Sequence, residues 1–200
     1  HCRFWSCLSW FESGYPNKQT PAEISAGVFV IKPLIGFHGY IKRIMTIRKA
    51  ERKDVPLILA FIRGIAKYEK MENEVLATEE LLDEWLFEKG IGEVIFAMDN
   101  GREVGFALYF HNFSTFVGKA GLSLEDLYVY PEHRGKGYGK ALFLELVKTA
   151  VKRGCGRMEW VCLNWNQPSI DFYHSMGAVS MDDWNTYRLT EDKLHKLAAE

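Results

Sequence analysis

From residue 45 onward, apolar and polar positions fall into blocks whose period switches between two and about 3.6. MTIRKA, residues 45–50, predicts a short strand. Asp54 then precedes VPLILAFIRGIAKYEK, residues 55–70, which suits a helix capped by that aspartate with Pro56 in its first turn. Thr78, followed by Glu79, Glu80 and Leu81, opens a second helix that runs through Phe87. EVIFAMD (93–99) and REVGFALYFHN (102–112) predict strands, and the Asn100-Gly101 pair between them signals a type I′ hairpin. LSLEDLYVY (122–130) predicts a further strand closed by Pro131. KALFLELVKTAVKRG (140–154) sets Leu142, Phe143, Leu146, Val147, Ala150 and Val151 at helical spacing. RMEWVCL (157–163) reads as a strand, and PSIDFYHSMG (168–177) as a short helix started by Pro168 and ended by Gly177. NTYRLT (185–190) predicts a last strand, and EDKLHKLAA (191–199) a terminal helix. The order β-α-α-β-β-β-α-β-α-β, closed by that helix, is that of a mixed α/β domain.

The first 44 residues carry no such period. HCRFWSCLSWFESGYPNKQTPAEISAG mixes Trp, Cys, Pro and Ser, and the apolar stretch AGVFVIKPLIGFHGYIKRI is broken by Lys32, Pro33 and Gly36. It does not read as a signal peptide: no charged region precedes the apolar stretch and no small-residue cleavage site follows it. Residues 1–44 are therefore expected to be an extension, or upstream sequence read through before Met45, with the domain spanning 45–200.

Composition narrows the function. The chain has 200 residues, 48% hydrophobic and 26% charged, with a formal net charge of −1, so one ordinary globular domain is expected. That balance gives no field to draw in nucleic acid or anionic lipid, and no stretch approaches the roughly 18 apolar residues of a membrane span. Neither a nucleic-acid partner nor a membrane is expected. Cys2, Cys7, Cys155 and Cys162 form no C-x-x-C pair and the histidines are scattered, so no metal site is expected. Cys155 and Cys162 flank a strand and read as buried free thiols, which suits a reducing cytoplasm.

RGKGYG, residues 134–139, lies between a strand and a helix. Glycines let backbone N–H groups approach a ligand, and a helix N-terminus adds partial positive charge, which together make a phosphate cradle. Arg134, Lys136 and Lys140 add charge. The dinucleotide fingerprint fails, because Lys140 stands where its last glycine belongs; the P-loop fails, because Ala141 follows Gly139-Lys140. A glycine-rich turn without a ligand stays open on these residues alone.

R-x-x-G-x-G after a strand ending in Val-x-Pro resembles the acetyl-CoA pyrophosphate loop of the GCN5-related N-acetyltransferases, the GNAT family. NWNQPSIDFYHSMGA, residues 164–178, is similar to that family's next element, an Asn near the cofactor and then a helix with a Tyr. The resemblance runs from about Met45 to the C-terminus. AKYEKME (66–72), LEDLYV (124–129), RGKGYG and WNQPSIDFY (165–173) resemble the diamine (spermidine/spermine) and thialysine branch. MDDWNTYRL departs from that branch's late loop, setting Trp184 forward and Tyr187 nearer the aromatic position. The resemblance implies a largely antiparallel mixed sheet with flanking helices, acetyl-CoA as co-substrate, a small cationic amine acceptor and a homodimer.

It also implies roles. Arg134, Gly135, Lys136, Gly137, Tyr138, Gly139 and Lys140 would hold the pyrophosphate. Leu127, Tyr128 and Val129 would offer backbone groups to the pantetheine arm, with Asn166 and Ser169 on its other side. Tyr173 would protonate the departing sulfur, and Glu125 would take the amine proton and hold the acceptor's charge. Tyr68, Glu69 and Glu72 would meet the far end of the acceptor, with Trp165 and Tyr187 lining its pocket. Without the resemblance, Tyr173 reads as core packing, Glu125 and the Glu69–Glu72 stretch as solvated, and Trp165 and Trp184 as pocket or core alike. Asp126 falls on the face opposite Glu125 in a regular strand, and His133 reads as a surface residue. Other acceptors (a protein N-terminus, a protein lysine, an aminoglycoside) and a non-catalytic acetyl-CoA sensor are the competing readings.

Overall fold

The computed structural model describes residues 28–29 and 45–200. Apart from Val28–Phe29, the expected extension lies outside the described residues. Six strands form one sheet in sequence order: β1 (Val28–Phe29), β2 (Met45–Lys49), β3 (Glu93–Asp99), β4 (Arg102–Ser114), β5 (Lys119–Val129) and β6 (Arg157–Trp160). Every neighbouring pair is antiparallel except β5 and β6, which are parallel. A parallel pair needs a crossover, and α3 (Tyr138–Lys152) supplies it.

The strand alternation sorts two cores onto the two faces of the sheet. Ile95 and Ala97 of β3, with Val104, Ala107 and Tyr109 of β4, pack under α3 against Leu142, Phe143 and Leu146. Val94, Phe96 and Met98, with Phe106, meet Ile58 and Phe61 of α1 (Val55–Glu69) on the other face. Phe61 is fully buried and stacks on Phe106 with ring centroids 5.0 Å apart and on Tyr130 at 4.6 Å. Cutting such a side chain back to alanine costs about 3–5 kcal/mol.

Local signals act much as the sequence predicts. Asn100 and Gly101 both have positive φ, 49° and 83°, which is the type I′ requirement. The Thr78 side chain accepts from the Leu81 N–H and starts α2 (Glu79–Leu82), which widens into a π-helical turn over Asp83–Glu88. Asp54 does precede α1, but its carboxylate makes no cap. It accepts from Arg48 Nη1 at 2.6 Å and from the Glu51 N–H at 2.7 Å, because a half-buried guanidinium is the stronger partner. α4 (Gln167–Ser175) and α5 (Glu191–Ala198) lie where periodicity puts them.

Two expectations are corrected. Residues 185–190 pair with no strand among the described residues, and they are exposed throughout. Strand propensity alone cannot make a strand without a neighbour to complete the ladder. The strand expected over 157–163 stops at Trp160. Its partner β5 changes register there: Leu108 faces Asp126, Tyr109 faces Leu124, and Glu125 is left over as a bulge. A bulge bends its strand and sharpens its twist, so β6 stays paired only up to Leu124 opposite Trp160.

Candidate active site

Past Leu124, β5 and β6 splay apart. The backbone of residues 125–129 on the β6 side has no strand partner among the described residues. Such an edge leaves N–H and C=O groups for a ligand to use. Leu127, Tyr128 and Val129 stay paired to β4 on the other side, so the edge is held rigidly. Two groups of residues adjoin it and form two walls of the candidate site, which meet where Arg134 stacks on Tyr68.

The first wall is the glycine loop. Gly135 and Gly137 have φ of 70° and 90°, the left-handed region that favours glycine. Gly137 sits at the cap of α3 without a side-chain cap bond, so the helix's first N–H groups stay available to an anion. A Cβ at Gly135 would meet nothing within 4 Å, so the loop is open. Gly139 lies inside α3, and Lys140 is exposed. Lys136 Nζ donates to the Glu132 carbonyl. Tyr138 is 1% exposed, so only its backbone faces the loop. The Arg134 guanidinium stacks over the Tyr68 ring at 4.5 Å and near Tyr128 at 5.3 Å, and its Nε donates to the Val129 carbonyl at 3.0 Å.

The second wall gathers side chains from distant segments. Tyr68, near the end of α1, donates its hydroxyl proton to Asn166 Oδ1 at 2.9 Å. Asn166 is buried, and the Tyr68 ring lies 5.8 Å from Trp165. Ser169 is half-buried in the first turn of α4. Tyr173, on α4, packs 4.9 Å from Trp160 and 6.0 Å from Phe143. Burial raises its hydroxyl pKa, with Cys162 and Asp126 adding to the effect, so it holds its proton more tightly than an ordinary tyrosine. Burial also raises Glu69, and raises Cys162 with help from Glu69.

Sequence reasoning set Asp126 aside, and the bulge reverses that. Asp126 shares the α1 face with Leu108, because the alternation restarts after Glu125. Burial, helped by Glu125 and Glu69, pushes its carboxyl up to about 7. Glu125 itself is exposed. Only the bulge brings Asp126 into the acidic group, and no sequence period marks it. Glu72 is exposed on a short turn after α1. Tyr187 is 91% exposed in the unpaired segment, and the structure does not bring it to this group. His133 is not a bare surface residue: it packs against Asp99 and Tyr138. Among the described residues, no three of His, Cys, Asp and Glu gather as a metal site.

The arrangement can hold an anion at one wall, a thioester arm along the β5 edge, and a cation among carboxylates at the other. The chain is similar to known proteins. Residues 60–178 match the model of the acetyltransferase (GNAT) family. Thialysine N-epsilon-acetyltransferase from Sus scrofa is 31% identical over 166 residues, covering 77% of this chain and 97% of that protein. L-ornithine N5-acetyltransferase NATA1 from Arabidopsis thaliana is 42% identical over 93 residues, 46% of this chain and 41% of that one. Among solved structures, an integron cassette protein from the mobile metagenome of V. cholerae superposes with a TM-score of 0.66 at 27% identity, covering 78% of this chain and 98% of that one.

Proposed function

The chain belongs to the GNAT family and is an N-acetyltransferase, and from that premise we propose that it moves acetyl from acetyl-CoA directly to a primary amine of a small cationic acceptor. The acceptor is a polyamine, a diamine or a lysine-like amine. One observation supports this reading: a phosphate-ready glycine loop follows the unpaired stretch of β5, and Asp126 on that stretch feels the charges of Glu125 and Glu69. The names of the thialysine, L-ornithine and spermidine/spermine relatives agree with an amine on an aliphatic chain.

An alkyl ammonium has a pKa near 10.4, so on the order of 0.1% is free amine at neutral pH. The pocket must therefore hold the cation and take a proton from it. Glu125, through water, accepts that proton, and Glu69 with Tyr68 and Trp165 receives the acceptor's remaining charge. The nitrogen then bonds the thioester carbonyl carbon and the carbon–sulfur bond breaks. A backbone N–H among Leu127 to Val129 polarises the carbonyl oxygen. Tyr173, protonated at neutral pH, gives its proton to the departing sulfur. Asn166 and Ser169 steady the arm, and Arg134 to Lys140 hold the pyrophosphate. Fixing both reactants in one ternary complex removes much of the entropic barrier. We further propose residues 45–200 as the catalytic domain, a homodimer as the assembly and the cytoplasm as the location.

The test is CoA release from acetyl-CoA with spermidine, putrescine, lysine, thialysine, an aminoglycoside and a peptide. Release driven by one of the small aliphatic amines is the expected result. Release only with the peptide or the aminoglycoside would sink the acceptor assignment.

A further inference from the structure

Asp99 ends β3 and is 7% exposed. A buried carboxylate costs stability unless it is compensated. Asn100 Nδ2 donates to its Oδ1 at 3.1 Å, and His133 Nδ1 lies 3.3 Å from its Oδ2, an ion-pair distance outside good hydrogen-bond geometry. His133 is the residue immediately before Arg134, at the end of the short turn Pro131–His133. Its ring meets the Tyr138 ring edge-on, with centroids 6.0 Å apart. Tyr138 is the first residue of α3, directly after Gly137.

The glycine loop therefore starts and ends at two rings that touch each other. Between them Arg134 is held by the Val129 carbonyl and the Tyr68 ring and Lys136 by the Glu132 carbonyl, but the glycines have little packing: a Cβ at Gly135 would meet nothing within 4 Å, and one at Gly137 only the Met45 methyl at 3.8 Å. Left-handed glycines have many alternatives, so their shape depends on the anchored residues around them, including both ends of the loop. One end is the start of α3, locked in the core by Tyr138. The other is His133, tied to the sheet through Asp99.

We propose that His133, held by Asp99, is a positioning residue that sets the glycine loop for the pyrophosphate of acetyl-CoA. This rests on reading that loop as the acetyl-CoA site. His133 touches neither reactant, so its loss weakens cofactor binding and leaves the chemistry of a saturated enzyme alone.

The experiment measures CoA affinity by calorimetry, and steady-state kinetics, on the full chain carrying His133→Ala, Asp99→Asn, both together, or His133→Gln. The two single variants should each weaken CoA about tenfold, the equivalent of 1.4 kcal/mol. The double variant should be no worse than the singles, because the two residues act as one unit. The kcat at saturating acetyl-CoA should stay within about twofold of wild type, and His133→Gln, which keeps a donor, should recover most of the affinity. CoA affinity unchanged in His133→Ala, with wild type binding normally, would overturn the positioning role and leave the acetyl-CoA reading intact. A kcat that falls in step with affinity would show general loss of structure and overturn it as well. Failure of wild type itself to bind CoA would bring down both.

Discussion

The glycine-loop wall is one continuous stretch, Arg134 to Lys140, while the acidic wall draws Tyr68 and Glu69 from α1, Asp126 from β5, Cys162 from beyond β6 and Tyr173 from α4. The first depends on backbone conformation, and glycines at fixed spacing specify that within a few residues. The second depends on burial and on groups brought close across the fold, such as Tyr68 and its partner Asn166, 98 positions apart. A wall made by local backbone should break locally, by strain. A wall made by packing should break through proton affinity.

The largest effect should come from Tyr173→Phe, which keeps the ring among Trp160, Phe143 and Phe172 and removes only the hydroxyl. A drop in kcat of about 100-fold or more, with CoA affinity unchanged, is expected for a lost proton donor. Wild-type turnover in this variant would return Tyr173 to core packing.

Gly137→Val tests the other wall. Its φ of 90° suits no β-branched residue, and the strain is about 1–2 kcal/mol. CoA affinity measured by calorimetry should fall about tenfold, while the KM for the amine holds. Equal losses on both substrates would show that the walls are not separable.

Asp126→Asn reads the buried charge as stability. The folded carboxyl titrates at about 7, above its ordinary value of 3.8, so between those values the folded state holds the proton that the unfolded state has lost. Stability therefore falls as pH rises through that window, and the penalty is complete above about 7. The variant should melt higher than wild type at pH 8, and the gap should close by pH 4. A gap that does not change with pH would remove the carboxylate from the acidic group.

The smallest effect should follow removal of residues 1–44. Among the described residues, that segment adds only two register pairs to the edge of β2, Val28 with Thr46 and Phe29 with Met45. The chain from Met45 should keep its kcat, with a melting temperature a few degrees lower at most. Loss of folding would join the segment to the domain.

Much of this was legible in the sequence because the signals are local. Asn100-Gly101, Thr78 before Glu79, Pro168 and Gly177 each fix a turn or helix end within about four residues. β3 and β4 were likewise legible as strands, and their successive side chains alternate across the sheet into the two cores. RGKGYG belongs to this class, as does the tyrosine helix that follows it.

What escaped was set by neighbours in space. NTYRLT has the composition of a strand and no partner to pair with among the described residues. His133 looked solvated because Asp99 is 34 positions away. The bulge at Glu125 leaves no period in LSLEDLYVY, yet it turns Asp126 to the α1 face and ends the β5–β6 pairing. By itself the sequence determined most of the elements, their order and the phosphate-ready loop, because these follow from φ preferences and from periods of two and 3.6. Only the tertiary structure decided which carboxylate is desolvated and where the sheet opens. Dielectric surroundings and strand register are properties of chain segments brought together, and no single segment carries them.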